Sequence, residues 1–315
     1  MDWQADKPLI TRRTFVAAAA STASAALAAP ALAREDAPPG RIETLAKFAP
    51  GDKSEPRIRI WLPPGYGIGT RSHRTLYMLD GQFVFASDSD GDNFATDRRI
   101  ARLAASGTIQ PTLIVAIDNL EDNRFLQYMP QTVYDLATGD LRKSMNREIG
   151  RVGARFLSSA QFIQYLVTRL KPHIDRNYRT LPGRLDTAIF GASMAGVMAG
   201  AIFVEGQQAF GRGACMSPNW PIYDKHMTDH PQLRSLWPEY FARLGAPAGR
   251  RLWLDHGTKM MDAGMAQHQL TIARRLVKLG WRRGRNLETR VYQGAGHAFA
   301  KTAVQMDELL IWLLA

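Results

Sequence analysis

The sequence predicts an α/β fold with a mostly parallel central sheet and helices on both faces, and two features support this prediction. Short continuous apolar runs, as at residues 75–79 and 112–117, are typical of strands that are covered on both faces. These runs alternate with segments of helical periodicity, as at 98–105 and 263–279. Strands and helices that alternate along a chain favour a parallel sheet.

The first part of the fold departs from this alternation. Residues 42–48 and 57–62 are two strand-like segments joined by a turn, which predicts an antiparallel pair at one edge of the sheet. The buried strand at 75–79 ends in Asp80-Gly81-Gln82. Residues 118–156 are polar, contain three glycines and show no clear period, so we expect loop or cap material over a cleft.

Later segments return to the α/β pattern. A helical pattern covers residues 158–178, and Pro172 is expected to bend or split this helix. Residues 217–244 form an aromatic-rich insertion, whose side chains either line a pocket or pack onto the core. The other predicted elements are strands at 186–190, 213–216, 252–254 and 287–292 and helices after Ser193, at 263–279 and through Leu314.

The N-terminal residues have the pattern of an export signal. Arg12 and Arg13 precede a weakly apolar, alanine-rich run at 16–29 and a small-x-small site at Ala31-Leu32-Ala33. This order resembles a twin-arginine signal with its cleavage site. We therefore predict an export signal at 1–33, a linker at 34–40, one folded domain at 41–315, and a periplasmic or secreted mature protein.

Composition excludes several classes of protein. The formal charge is +11, and the predicted signal carries three basic and two acidic residues, which leaves +10 on the mature chain. The basic residues are scattered or lie on one late helix and its loop without interleaved aromatics, so we expect no nucleic-acid partner. Because Cys215 is the only cysteine, no internal disulfide or thiolate cluster can form. No apolar run resembles an internal membrane span, so no stable membrane insertion is expected after signal removal.

Residues 186–196 contain the most informative motif of the chain. A buried strand leads into Gly191-Ala192-Ser193-Met194-Ala195 and then a helix, which is the outline of a nucleophile elbow. The usual pattern has glycine two places after the serine, where this chain has Ala195 followed by Gly196. The alternative interpretation is a small-residue helix N-terminus with Ser193 near the cap.

A serine nucleophile needs a base and an acid later in the chain. His297 lies in a glycine-containing turn between the last strand and the last helix, and it is the best candidate for the base. The acid must follow the preceding strand, where Asp255 and Asp262 both qualify. We favour Asp262, because Asp255 still belongs to the strand, where structural hydrogen bonds can occupy its carboxylate.

The remaining sequence candidates are oxyanion donors and a weak metal pattern. The backbone N–H of Met194 and a second N–H from Gly81 or Gln82 are the expected oxyanion donors. His226 and His230 have the spacing of a zinc pair, but no HExxH frame accompanies them. We therefore predict no metal site.

With these residues assembled, the chain resembles the putative esterase family of α/β-hydrolases, which includes esterase D, the feruloyl esterases and the enterochelin esterases. The resemblance covers nearly the whole mature chain and rests on the elbow together with residues 77–82, 117–119, Arg124, Tyr128, Pro130, 170–175, 177–180, 216–218, 255–258 and 296–297. It implies an α/β-hydrolase fold for the catalytic domain, no cofactor, and Ser193 and His297 as nucleophile and base.

The resemblance implies a serine esterase that acts on a small-molecule ester. It points to siderophore trilactones, hydroxycinnamoyl or acetyl sugar esters, or small acyl esters. Two alternatives stay open at this stage. An acyltransferase would use the same triad with an alcohol acceptor in place of water, and a silent binding protein would keep the fold without the activity.

Overall fold

Eight strands form one sheet in the part of the chain that a computed structural model describes, residues 40–47, 55–88, 92–150, 153–222, 230–297 and 303–315. The order across the sheet is β1-β2-β4-β3-β5-β6-β7-β8. The strands are β1 Arg41–Leu45, β2 Ile58–Leu62, β3 Arg74–Leu79, β4 Thr112–Ile117, β5 Thr187–Ala192, β6 Arg212–Met216, β7 Arg251–Gly257 and β8 Leu287–Tyr292. The predicted signal at 1–33 and the predicted linker up to residue 39 lie outside these ranges and stay predictions.

Strand direction follows the predicted pattern. β1 pairs antiparallel with β2, and β2 pairs antiparallel with β4. All further pairs, from β4–β3 to β7–β8, are parallel. The prediction of an antiparallel edge before a mostly parallel sheet is confirmed, and the carboxyl ends of the parallel strands share one edge of the sheet.

Both faces of the sheet are covered. Along β3, Tyr77 and Leu79 belong to one apolar cluster while Leu76 and Met78 belong to the other, because successive side chains of a strand point to opposite faces. Buried residues of α7, α8 and α9 join the first cluster, and those of α1 and α10 join the second. The helices are α1 Thr96–Ala105, α2 Arg124–Tyr128, α3 Gln131–Leu136, α4 Gly139–Glu148, α5 Ser159–Tyr165, α6 Lys171–Asn177, α7 Met194–Glu205, α8 Pro231–Ala242, α9 Ala266–Lys278 and α10 Ala303–Leu314.

The segment at 118–156, expected to be loop or cap material over a cleft, contributes Asn119, Glu121 and Arg124 to the cavity beside Ser193, but it is more helical than its sequence indicates. It contains α2, α3 and α4, which have 5, 6 and 10 residues. Helices this short show too few turns for their periodicity to stand out from the sequence. Tyr128, Val133 and Met145 are nevertheless fully buried against the apolar cluster, so tertiary packing stabilises these helices.

Two further segments resolve alternatives that the sequence left open. Residues 159–177 run through Pro172 without a break, because a π-helical turn at Leu166–Leu170 precedes α6 and the proline occupies its first turn. In the aromatic-rich insertion, Trp220 and Trp237 are fully buried with ring centroids 5.0 Å apart. These aromatics pack onto the core and do not line the cavity beside Ser193.

The structure also describes the environment of the single cysteine and the lengths of the helices. Cys215 is buried in β6 as a free thiol, and burial raises its pKa. Within the described ranges, no helix has both the length and the apolar character that crossing a bilayer requires.

Candidate active site

Ser193 lies on a sharp turn between the end of β5 and the start of α7. Its φ of 57° and ψ of −125° are rare for a residue with a side chain, as expected at a nucleophile elbow. A Cβ at position 191 would lie 2.1 Å from the carbonyl oxygen of Ala195, so only glycine fits there. The Ser193 hydroxyl makes no capping hydrogen bond to α7, which argues against the alternative of a simple helix cap.

The departure at Ala195 has a simple explanation. The atoms that would collide with a side chain at position 191 belong to the backbone of Ala195 and Gly196, not to the Ala195 methyl group. The close approach of strand and helix therefore demands glycine before the serine. It tolerates a small side chain two places after it.

His297 joins Ser193 to Asp262. Its Nε2 lies 2.8 Å from the Ser193 Oγ, and its Nδ1 lies 2.7 Å from the Asp262 Oδ1. A carboxylate can only accept, so Nδ1 carries the proton and Nε2 is free to accept the hydrogen of the Ser193 hydroxyl. Serine, carboxylate and histidine follow along the chain in the order expected of this fold.

The Asp262 carboxylate is held by three donors. Besides His297, the Gly257 N–H and the Ser217 hydroxyl each donate to Oδ2 over 2.9 Å. Burial raises the pKa of Asp262, but the hydrogen bonds from His297, Gly257 and Ser217 outweigh it, so the pKa lies below its ordinary value. Asp262 is therefore ionised at neutral pH, as a partner of His297 must be.

Asp255, the alternative acid, makes other contacts. Its carboxylate accepts from the Ser217 N–H over 2.9 Å and from the Trp253 Nε1 over 2.7 Å. The residue is fully buried, and burial raises its pKa to about 7. The structure thus brings Asp262 to His297 and leaves Asp255 in the structural role that its place within β7 suggested.

A cavity of about 490 Å³ opens beside Ser193 and His297. Its remaining lining combines two aromatic rings with polar groups, and these residues are Asp80, Gln82, Phe83, Phe94, Asn119, Glu121, Arg124, Ala192, Met216, Ser217, Gly296 and Gln305. Of the predicted oxyanion donors, Gln82 lines this cavity. Gly81 begins the 3₁₀ turn that contains Gln82, and Met194 begins α7 directly after Ser193.

Sequence reasoning assigned no role to a polar network in this cavity. Asp80 accepts two hydrogen bonds from Arg124, at 3.0 Å from Nε and 2.6 Å from Nη2, and one from Asn119 Nδ2 at 2.7 Å. All three residues follow the carboxyl ends of β3 and β4, which is the signal that could have identified them. Ser217 was missed in the same way, although it directly follows β6.

The sequence predicted no metal site and offered His226 and His230 only as a weak zinc pattern. Within the described ranges, no group of three or more His, Cys, Asp and Glu side chains is arranged to hold a metal ion. His226 of the weak zinc pattern lies outside those ranges.

The fold and these contacts define an α/β-hydrolase, and comparison with known proteins identifies its family. The family model described as Putative esterase matches residues 52–313, so the chain belongs to that family. Membership makes the protein a carboxylic-ester hydrolase and confirms the resemblance found in the sequence. No curated protein sequence matches the chain.

Solved structures with the same fold include esterases of several kinds. A ferulic acid esterase is 17% identical with a TM-score of 0.59, over 87% of this chain and 98% of its own. The BES protein of Bacillus cereus is 16% identical with a TM-score of 0.60, over 87% and 95%. The enterobactin esterase of Shigella flexneri is 16% identical with a TM-score of 0.59, over 90% of this chain and 59% of its own.

Proposed function

We propose that this protein hydrolyses carboxylic esters through an acyl-enzyme on Ser193, with His297 as general base and acid and Asp262 as its carboxylate partner. The observation that carries the proposal is the pair of hydrogen bonds at 2.8 Å and 2.7 Å that joins the three side chains. Membership of the esterase family supports the same reaction. A hydroxyl so placed can lose its proton to the imidazole as it attacks.

The reaction runs in two steps. His297 Nε2 takes the Ser193 proton while Oγ bonds to the ester carbonyl carbon, and the tetrahedral intermediate then expels the alcohol, which leaves with that proton. Water next gives a proton to His297 and attacks the acyl-enzyme carbonyl, and collapse releases the carboxylic acid and restores the Ser193 hydroxyl. Asp262 stabilises the imidazolium that forms in each step.

The carbonyl oxygen becomes negative in both intermediates and needs donors that are already in place. The Met194 N–H, at the start of α7, is the first proposed donor, because it follows the nucleophile directly. The second is an N–H of the turn at Gly81–Phe83, whose Gln82 lines the cavity. Loss of one such donor typically lowers kcat about 10²–10³-fold.

The substrate proposal rests on the cavity and on the named neighbours. A volume of about 490 Å³ with Phe83 and Phe94 beside charged groups fits a compact ester with an apolar or aromatic part and polar substituents. The solved neighbours include a ferulic acid esterase and an enterobactin esterase. We propose a siderophore trilactone, a hydroxycinnamoyl or acetyl sugar ester, or a small acyl ester as the substrate class.

A fluorophosphonate probe tests the nucleophile without knowledge of the substrate. We expect covalent labelling of the wild-type protein, and its loss in Ser193→Ala and in His297→Ala, since the serine reacts only when a base activates it. Ser106→Ala is the matched control, because this hydroxyl lies at the end of α1 and bonds to the Leu103 carbonyl. Absence of labelling in folded wild-type protein would reject the proposal and favour a silent binding protein.

Product analysis separates hydrolase from acyltransferase. Wild-type protein is incubated with 4-nitrophenyl acetate and increasing concentrations of a sugar alcohol. A hydrolase releases acetate in proportion to 4-nitrophenol at every acceptor concentration, whereas an acyltransferase accumulates the acetylated sugar.

A further inference from the structure

Arg59 is a buried cation near the proposed oxyanion turn. It lies on β2 opposite Ala116, close to the carboxyl end of β4, and is 8% exposed. Its guanidinium contacts both Asp88 oxygens, at 2.5 Å from Nη1 and 3.0 Å from Nη2, and lies 4.9 Å from the centre of the Phe85 ring. These contacts fix the plane of the guanidinium, as a bidentate ion pair does.

The same guanidinium reaches the turn after β3. Its Nη2 donates to the Gly81 carbonyl oxygen over 2.7 Å, and the Val84 N–H donates to that oxygen over 3.2 Å. A carbonyl oxygen has two lone pairs, so this acceptor is fully used. A rotation of the Gly81–Gln82 peptide would break both hydrogen bonds and leave a buried cation with one contact fewer.

The direction of this carbonyl decides where the next N–H points. The described peptides include no cis bond, and in a planar trans peptide the C=O and N–H groups point in opposite directions. Because the Gly81 carbonyl faces Arg59, the Gln82 N–H faces away from it. Gln82 lines the cavity that contains Ser193 and His297, where a bound ester carbonyl would have to lie in order to react.

We infer that Arg59 is a positioning residue, which locks the Gly81–Gln82 peptide so that the Gln82 N–H, rather than that of Gly81, is the second oxyanion donor. This inference rests on the proposed function and deepens it. The charge on Arg59 also draws electron density towards the Gly81 oxygen and thereby strengthens the Gln82 N–H as a donor. Arg59 does not touch the substrate and acts only through this peptide.

The Gly81–Gln82 peptide benefits from a contact outside the turn because position 81 is a glycine. A Cβ at position 81 would lie 2.6 Å from the Asp118 Oδ1 and from the Ile117 backbone, so the close approach to β4 demands glycine. Glycine is also the residue that least restricts rotation of an adjacent peptide. The preceding Asp80 already adopts a left-handed φ of 53°. The Arg59 contact adds a tertiary restraint to the hydrogen bond from Val84 within the turn.

The experiment compares Arg59→Met/Asp88→Asn with wild type, using 4-nitrophenyl acetate as substrate. The double variant removes the lock without leaving the Asp88 charge buried and unpaired. We expect kcat to fall about 10- to 100-fold, towards the loss seen when an oxyanion donor is removed, and KM to change less than about threefold. Affinity for an aryl boronic acid, whose serine adduct is tetrahedral, should fall in parallel with kcat, whereas affinity for acetate should not.

Arg74→Met is the matched control. Arg74 is half-buried and, like Arg59, bonds to a carboxylate, that of Asp186, and to a backbone carbonyl, that of Leu314, but it lies at the amino end of β3. Its loss should lower the melting temperature and leave kcat within about twofold. Arg59→Lys keeps the charge without the bidentate geometry, and we expect a kcat about 3- to 10-fold below wild type.

Each outcome has a clear meaning. The inference is overturned if kcat and boronate affinity are unchanged in both Arg59 variants while turnover still depends on Ser193. If the double variant does not fold, the same result in Arg59→Lys alone overturns it. Equal kcat losses in the Arg59 variants and in Arg74→Met would also overturn it, because they indicate a structural role. Loss of the Ser193 dependence in wild type would instead overturn the proposed function.

Discussion

Two aspartates near the carboxyl end of β7 have opposite electrostatic environments. Asp255 lies within the strand, is fully buried, and burial raises its pKa to about 7. Asp262 lies seven residues later in a 3₁₀ turn at Met260–Met265, and although burial raises its pKa, its hydrogen bonds bring that pKa below the ordinary value. Ser217 donates to both, with its N–H to Asp255 and its hydroxyl to Asp262.

The difference indicates that hydrogen-bond donors, and not burial alone, decide which of the two carboxylates has a lowered pKa. Both residues are at most 1% exposed. Asp262 receives three donors, including an imidazole that gains charge during the reaction, whereas Asp255 receives two fixed donors from the core. Burial therefore prevails at Asp255 and is outweighed at Asp262.

Asp262→Asn should give the largest effect. The amide cannot stabilise an imidazolium, and its NH₂ group favours the tautomer in which His297 Nε2 carries the proton and cannot accept from Ser193. A comparable substitution in another serine hydrolase lowers kcat about 10⁴-fold, and we expect a loss of about 10³–10⁴-fold here. Steady-state turnover of 4-nitrophenyl acetate at pH 7.5 measures it.

Asp255→Asn is the control for that substitution. We expect its kcat to stay within about threefold of wild type, because its carboxylate makes no hydrogen bond to His297 in the structure. A loss in Asp255→Asn as large as that in Asp262→Asn would contradict the assignment of the acid. Circular dichroism shows whether each variant is folded.

The second effect is on stability and depends on pH. Between the unfolded-state pKa of about 3.9 and the folded value of about 7, unfolded protein releases the Asp255 proton and native protein keeps it. The native state then binds more protons, so this residue lowers the free energy of unfolding as pH rises through that window. From pH 5 to pH 7 the expected decrease is about 2 kcal/mol.

Asp255→Asn should remove this decrease. Urea unfolding of variant and wild type at pH 5, 6, 7 and 8 measures the difference, which should shrink or reverse as pH rises. Asp262 contributes with the opposite sign, since its lowered pKa adds stability above the unfolded-state pKa that is lost as pH falls through the folded value. A difference between Asp255→Asn and wild type that is constant with pH would contradict a raised pKa for Asp255.

The contrast also shows what the sequence could predict. The bounds of β4 and β8 were predicted as they are observed. For the fully buried β4 this was possible because a continuous apolar run depends only on local sequence. Ser193, His297 and the preference for Asp262 followed from chain order and from the place of each residue at a strand end. The distances between these side chains in the folded protein could not be predicted from chain order and strand ends.

What the sequence could not predict depends on tertiary contacts. The helices within 118–156 are too short to show a period, and packing decides that they form. The role of Ser217 needs the knowledge that β6 and β7 are neighbours and that both of its donors reach carboxylates. The choice between the Gly81 and Gln82 N–H groups needs the direction of one carbonyl, which no residue pattern encodes.

Ser217→Ala should give the smallest effect and is the most direct test of the contrast between Asp255 and Asp262. It removes the hydroxyl that donates to Asp262 and keeps the N–H that donates to Asp255, so only one of the two carboxylates loses a donor. The net contribution of one hydrogen bond, about 0.5–1.5 kcal/mol, predicts a kcat about 2- to 10-fold lower at pH 7.5. A kcat identical to that of wild type would show that His297 and Gly257 suffice to hold the Asp262 carboxylate.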